Sequence, residues 1–216
     1  MRVGAYVDGL NVYYGGRALC GRNEDGWRWL NLAALTQRLV HRNRAWSAAG
    51  AAVSRIVYCT AIVSGQSDPG ARIRQQTYLN ALRASGGVDI ELGAFMTRKV
   101  RGIETADGRH AEIETLEEKG SDVNVAAHLL IDLHTQQIDA AVLITNDSDL
   151  RLPARHARRH IPVGTVNPRG TPTAGGLRGD RDEGPGGHWW YRLTADDLRA
   201  CQLPAIVDGH RRPKGW

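Results

Sequence analysis

Five short runs of apolar and β-branched residues recur along this 216-residue chain: RVGAYVD (2–8), VSRIVYCTAIV (53–63), VDIELGAFM (88–96), DAAVLIT (139–145) and IPVGTVN (161–167). Runs this apolar suit strands covered on both faces better than strands with one wet face. The stretches between them carry helical signals. Asn31 reads as the N-cap of LAALTQRLVHR, which is apolar at Leu32, Leu35 and Leu39. Asp68-Pro69 opens a helix that stops at Gly86-Gly87, and Ser121 reads as the cap of DVNVAAHLLIDLHTQ. LRLPARHARRH is helical, with Pro153 confined to its start. Strands alternating with helices predict an α/β domain whose sheet is mainly parallel, five-stranded and covered on both faces.

The rest of the chain is less regular. TRKVRGIETADGRHAEIETLEE (97–118) reads as a polar excursion, a hairpin turning at Asp107-Gly108. Residues 168–188 lose all periodicity and become rich in Gly, Pro and Arg, which reads as a flexible loop. WWYRLTADDLRACQL brings the chain back as a strand and short helix (189–208), packed on the domain formed by 1–167. Residues 209–216 read as a tail.

Several function classes fall away on composition and motif. The chain opens with a strand pattern, without the basic head and apolar stretch of a signal peptide. No window approaches a membrane span. Cys20, Cys59 and Cys201 are odd in number, far apart and lack C-x-x-C spacing, which fits a reducing cytoplasm rather than a disulfide or zinc framework. No H-E-x-x-H, G-x-S-x-G, P-loop or G-x-G-x-x-G occurs. Leu10 stands where a haloacid-dehalogenase-type phosphatase needs an acid. The formal net charge is +5, carried almost wholly by arginine. That suits phosphate contacts, although arginine-rich composition also reflects codon usage.

The acids stand out by position. In a parallel α/β sheet, ligands bind beyond the carboxyl ends of the strands, where strand order reverses. Asp8 ends the first strand, and Asp147 and Asp149 follow the fourth. The helix before the fourth strand runs antiparallel to it, so Asp122 at its start returns to the same edge. Each has a plainer reading: Asp8-Gly9 as a turn, Asp122 as a first-turn acid, Asp147 or Asp149 as an N-cap. Together they predict a carboxylate cluster whose repulsion a hard cation, Mg²⁺ or Mn²⁺, would offset. Arg151, Arg155 and Arg158 or Arg159 follow at helical spacing, either to hold a nucleic-acid backbone or as a solvated face. Trp27-Arg28-Trp29 and Trp189-Trp190-Tyr191 could stack bases or pack a core.

These residues carry a resemblance. YVDGLNVYYGG (6–16), WLNLAAL (29–35), RQQTYLNAL (74–82), EKGSDVNVAAHLLIDL (118–133) and DAAVLITNDSDL (139–150), with LTADDL near the end, resemble the NYN-domain family of PIN-like nucleases. The resemblance implies a three-layer α/β/α fold and metal-dependent cleavage of RNA by a hydrolase leaving 5′-phosphate and 3′-hydroxyl ends. It places Asp8, Asp122, Asp147 and Asp149 on the family's acidic, metal-binding positions. Asn11 falls on its characteristic asparagine, implied to orient Asp8 or contact substrate, with a turn residue as the plainer reading; Lys119 falls on a K-G-x-D lysine, implied to contact phosphate or else to balance Glu117 and Glu118. Thr145-Asn146 departs from an expected small hydroxyl residue and glycine, and Leu150 replaces a frequent aromatic. The expectation is a cytoplasmic metal-dependent ribonuclease with RNA as partner and no membrane. An RNA-binding regulator with weak or no catalysis, or a nuclease acting on DNA, are the alternatives. The oligomeric state stays open, a homodimer included.

Overall fold

Strand β1 (Arg2–Asp8) lies at the centre of a seven-stranded sheet. The computed structural model describes residues 1–65, 68–103 and 108–216. On one side of β1 come β2 (Ala52–Ala61), β3 (Asp89–Ile103) and β4 (His110–Lys119). On the other come β5 (Ala140–Ile144), β6 (Val163–Asn167) and β7 (Trp189–Arg192). Every neighbouring pair is parallel except β3 with β4. The chain winds outward from β1 to β4, then crosses back to β5. The order therefore reverses between β1 and β5, at the carboxyl end of the most buried strands.

Side chains alternate across the sheet, as pleating demands. Val3, Ala5 and Val7 face a core built with α1 (Gly9–Cys20), α2 (Leu32–Arg42), α3 (Arg44–Ala48), α4 (Pro69–Ser85) and α7 (Ala195–Ala200). Tyr6, Val57 and Leu143 face the opposite core, closed by α5 (Ser121–His134) and α6 (Arg151–Arg158). The cap at Asn31 forms as the sequence predicts, and Asp68 caps the helix that follows it in the same way: each amide or carboxylate oxygen accepts a backbone N–H three residues on.

The mainly parallel sheet and two helical layers agree with expectation, but the strand count does not. Seven strands replace five because β3 continues into an antiparallel hairpin with β4, and β7 adds a parallel edge beside β6. The expected hairpin turn at Asp107-Gly108 lies in part on residues 104–107, outside the described residues. Helix α1 was not foreseen. Ser121 is not the cap of α5: Gly120 occupies that position, and Glu118 accepts both the backbone N–H and the hydroxyl of Ser121 at 3.0 and 2.7 Å. Within 168–188, Leu177 is fully buried. Arg158, counted above with the basic face, is itself buried and donates to the Leu177 and Arg178 carbonyls and to Glu183. Residues 209–216 contribute β9 (His210–Arg211), which pairs with β8 (Ile206–Val207), and set Trp216 against Trp29 and Tyr78.

The return segment is fastened by one carboxylate. Asp197, fully buried, accepts from Thr194 in a capping box, from the Tyr191 hydroxyl at 2.7 Å, and from Arg42 and Arg38 at 2.8 and 3.2 Å. Burial pushes this carboxyl up, and the donors more than reverse it, leaving it below the ordinary range. Asp197→Asn should therefore cost roughly 2–3 kcal/mol at neutral pH, the scale of lost hydrogen bonds to a charged group. The folded-state value is depressed, so this stability is present above the unfolded carboxylate range and lost as pH falls through the folded value. Urea unfolding of both proteins at pH 7 and in acid checks this: the gap should narrow in acid.

Candidate active site

Asp8 closes β1 and caps α1 in the same step. Its side chain is 2% exposed. One carboxylate oxygen accepts the Asn11 backbone N–H at 2.9 Å, and the other accepts the Thr145 hydroxyl at 2.9 Å. Burial pushes the Asp8 carboxyl up; the Asn11 and Thr145 donors pull against it, Asp147 adds to the rise, and the net direction is upward. The plainer reading of Asp8-Gly9 holds to the extent that Asp8 is the N-cap of α1, and that cap fixes the orientation of its carboxylate.

Thr145, at the end of β5, ties two of the acids together. Its hydroxyl O–H donates to Asp8, and its oxygen accepts the Asp147 backbone N–H at 3.0 Å. Asp147 then accepts from the Asp149 N–H at 3.0 Å and caps the 3₁₀ turn Ser148–Leu150 that leads into α6. Asp149 is exposed and Asp147 partly so. Asp122 stands in the first turn of α5. Its carboxyl is pushed up to about 6, first by burial and then by the charges of Asp8, Asp147, Glu118 and Asp149. The four sequence-predicted acids thus share one electrostatic neighbourhood at the switch point, and Glu118 joins them from β4.

The other expected residues divide. Asn11 is buried, and its side-chain oxygen accepts the Asn146 N–H at 3.2 Å and the Arg169 Nε–H at 3.0 Å. Asn146 in turn holds the following loop, accepting the Ala174 N–H at 2.8 Å. Lys119 pairs with Glu117 at 2.9 Å, the balancing role weighed above. Arg151 and Arg155 are exposed on α6, just past the acids. Three residues were missed. Thr145 was noted only as a departure, Glu118 only as a counter-charge, and Arg169 not at all. Arg169 belongs to the loop after β6, and only the strand order brings it to Asn11.

Hard carboxylate oxygens that repel one another are a donor set suited to a divalent cation such as Mg²⁺ or Mn²⁺. The arrangement is convergent rather than closed: among the described residues no three acidic, histidine or cysteine side chains are gathered tightly enough to hold a metal ion. No helix among the described residues is long and apolar enough to cross a membrane.

Comparison with known proteins adds three findings. The NYN domain model matches residues 2–173. The chain is 30% identical over 247 aligned positions to 6-hydroxy-3-succinoylpyridine 3-monooxygenase HspA of Pseudomonas putida, covering all of this chain and 75% of that protein. A crystal structure of a protein of unknown function from Vibrio parahaemolyticus superposes with a TM-score of 0.51 at 18% identity, covering 91% of this chain and 94% of that one. That likeness concerns the fold alone.

In metal-free buffer the raised Asp122 value has a definite sign. A carboxyl raised on folding contributes stability below its unfolded value and loses it as pH rises through about 6. Asp122→Asn should raise the unfolding midpoint at pH 7, with a gain that fades as pH falls toward 4. Thermal unfolding across that range, with chelator present, tests it.

Proposed function

The chain belongs to the NYN-domain family, and from that premise we propose that it is a metal-dependent ribonuclease, hydrolysing RNA phosphodiester bonds at the Asp8, Asp122, Asp147 and Asp149 edge. The observation that carries this reading is the convergence of four carboxylates from three segments on the switch point, with Asp122 raised first by burial and then by the charge of the others. Mg²⁺ or Mn²⁺ held by these carboxylates would supply a nucleophilic water and offset charge on the phosphodiester.

The chain's own residues have distinct roles in this scheme. Asp8, clamped by Asn11 and Thr145, would be the fixed ligand. Asp147 is placed by the Thr145 hydroxyl and held through its own cap to Asp149. Asp122 carries a carboxyl pushed up to about 6 by burial and by the charges around it; a bound cation would lower it, and its role would then be that of a further ligand. Arg169, steered by Asn11, and the exposed Arg151 and Arg155 supply positive charge for the backbone phosphates.

A second reading rests on the curated relative, which is named as a monooxygenase acting on a substituted pyridine and is aligned with the whole of this chain. On that reading a small heteroaromatic molecule is the substrate. Oxygen uptake with a hydroxypyridine and a reductant would favour it.

The deciding assay is cleavage of labelled single-stranded RNA, with matched DNA beside it, in Mg²⁺, Mn²⁺ or EDTA. The ribonuclease reading expects cleavage in metal, none in EDTA, and a fall on the order of 10²-fold or more for Asp147→Asn. RNA bound but uncut in every metal would favour the regulator; preferred cleavage of DNA would move the substrate.

A further inference from the structure

A cavity of about 620 Å³ opens beside the acidic edge, on the α1 and α4 side of the sheet. Its volume is in the range that encloses a small organic ligand. Gly9 and Leu10, the two residues after Asp8, form part of its wall, as do Tyr58 and Thr60, which flank the β2 residue paired with Asp8. Cavity and acids therefore share a wall.

Two features set its chemistry. The first is aromatic surface: Tyr13, Tyr14, Trp27, Tyr58, Tyr78 and Trp216 all line it. The rings are held firmly. Tyr78 donates its hydroxyl to the Leu30 carbonyl at 2.8 Å and lies 5.9 Å from the Trp216 ring, and Tyr13 lies 5.6 Å from Trp27. Tyr13 and Tyr14 remain 41% and 51% exposed, so their faces are open. The indole N–H of Trp27, a side chain only 3% exposed, has no acceptor among the described residues; a ring nitrogen or oxygen is the kind of group that would accept it.

The second feature is charge. Arg17, Arg22, Arg28, Arg74 and Lys214 line the cavity against Asp25 and Asp68. Arg74 is neutralised by Asp68 at 2.7 Å. Arg28 lies 4.3 Å over the Trp27 ring and donates to the Glu24, Arg22 and Gly215 carbonyls, which bind it without cancelling its charge. The remainder is a cationic rim around aromatic walls.

We propose that this cavity binds a planar heteroaromatic ring bearing an anionic group, with the ring against the tyrosine and tryptophan faces and the anion at Arg17, Arg22 and Lys214. A nucleotide of an unpaired RNA strand and a small pyridine carboxylate share that chemistry. The site does not depend on which reaction the acidic edge performs.

Tryptophan fluorescence reads binding directly, because Trp27 and Trp216 are in the wall. The probes are adenosine 5′-monophosphate, adenosine and pyridine-3-carboxylate, titrated into the whole chain. Saturable quenching by an anionic probe is expected, with adenosine several-fold weaker than its monophosphate. Arg22→Glu and Tyr14→Ala, both at exposed positions, should each weaken binding about tenfold without moving the unfolding midpoint. Binding of the nucleotide alone assigns the ring to RNA; binding of the pyridine acid alone assigns it to a small molecule. No saturable quenching by either anionic probe, adenosine binding as tightly as its monophosphate where both bind, or unchanged binding in both variants overturns the proposal. Probe binding without RNA cleavage overturns the ribonuclease reading and leaves the cavity assigned; cleavage without probe binding does the reverse.

Discussion

A carboxylate buried on the central strand is the constraint around which this molecule is organised. Taking Asp8 out of water costs several kcal/mol unless donors replace the lost hydration. Two donors do so: the Asn11 N–H from the first turn of α1 and the Thr145 hydroxyl from the end of β5. Each comes from a different element, so the charge is tolerated only while β1, α1 and β5 keep their relative positions. The fold's switch point and the clamp on Asp8 are the same place.

From that clamp the network spreads outward. Thr145 passes the constraint to Asp147 through its backbone N–H. Asn11 passes it to Asn146 and Arg169, and Asn146 to the loop at Ala174. Gly15 completes the arrangement, since a Cβ there would run into the Pro168 carbonyl. Helix α1 can therefore lie directly against the loop after β6, which brings a cation to the rim of an acidic edge. Aromatic cavity, acids and arginines then sit side by side on one end of the sheet.

Much of the scaffold was legible because strands buried on both faces must be apolar along their buried length, as β5, β6, the interior of β1 and the second half of β2 largely are. What escaped did so for physical reasons. GLNVYYGGRALC has two adjacent glycines and a weak apolar stripe, yet it is helical because Gly15 and Gly16 permit close packing against Pro168 and Trp27. The four residues of β7 are too few to show alternation, and β4 is charged because much of it is exposed. That the acids meet at one edge of the sheet was readable from the direction of their elements. Thr145, Glu118 and Arg169 were not, since their importance lies in contacts across the sheet edge that no local spacing encodes. Trp216 carries no signal at all until the tail is seen against Trp29 and Tyr78.

If the convergent carboxylates hold a divalent cation, the titration of one of them must respond to it. Asp122 reports on its neighbours, because their negative charge helps to raise it to about 6. Following its side-chain carboxyl by NMR across pH, with and without Mg²⁺, measures whether a cation enters that field. A cation site there gives a midpoint near 6 in chelator that falls well toward the ordinary carboxylate range as Mg²⁺ saturates, with no comparable fall in Asp8→Asn. A midpoint indifferent to Mg²⁺ at every concentration would contradict it.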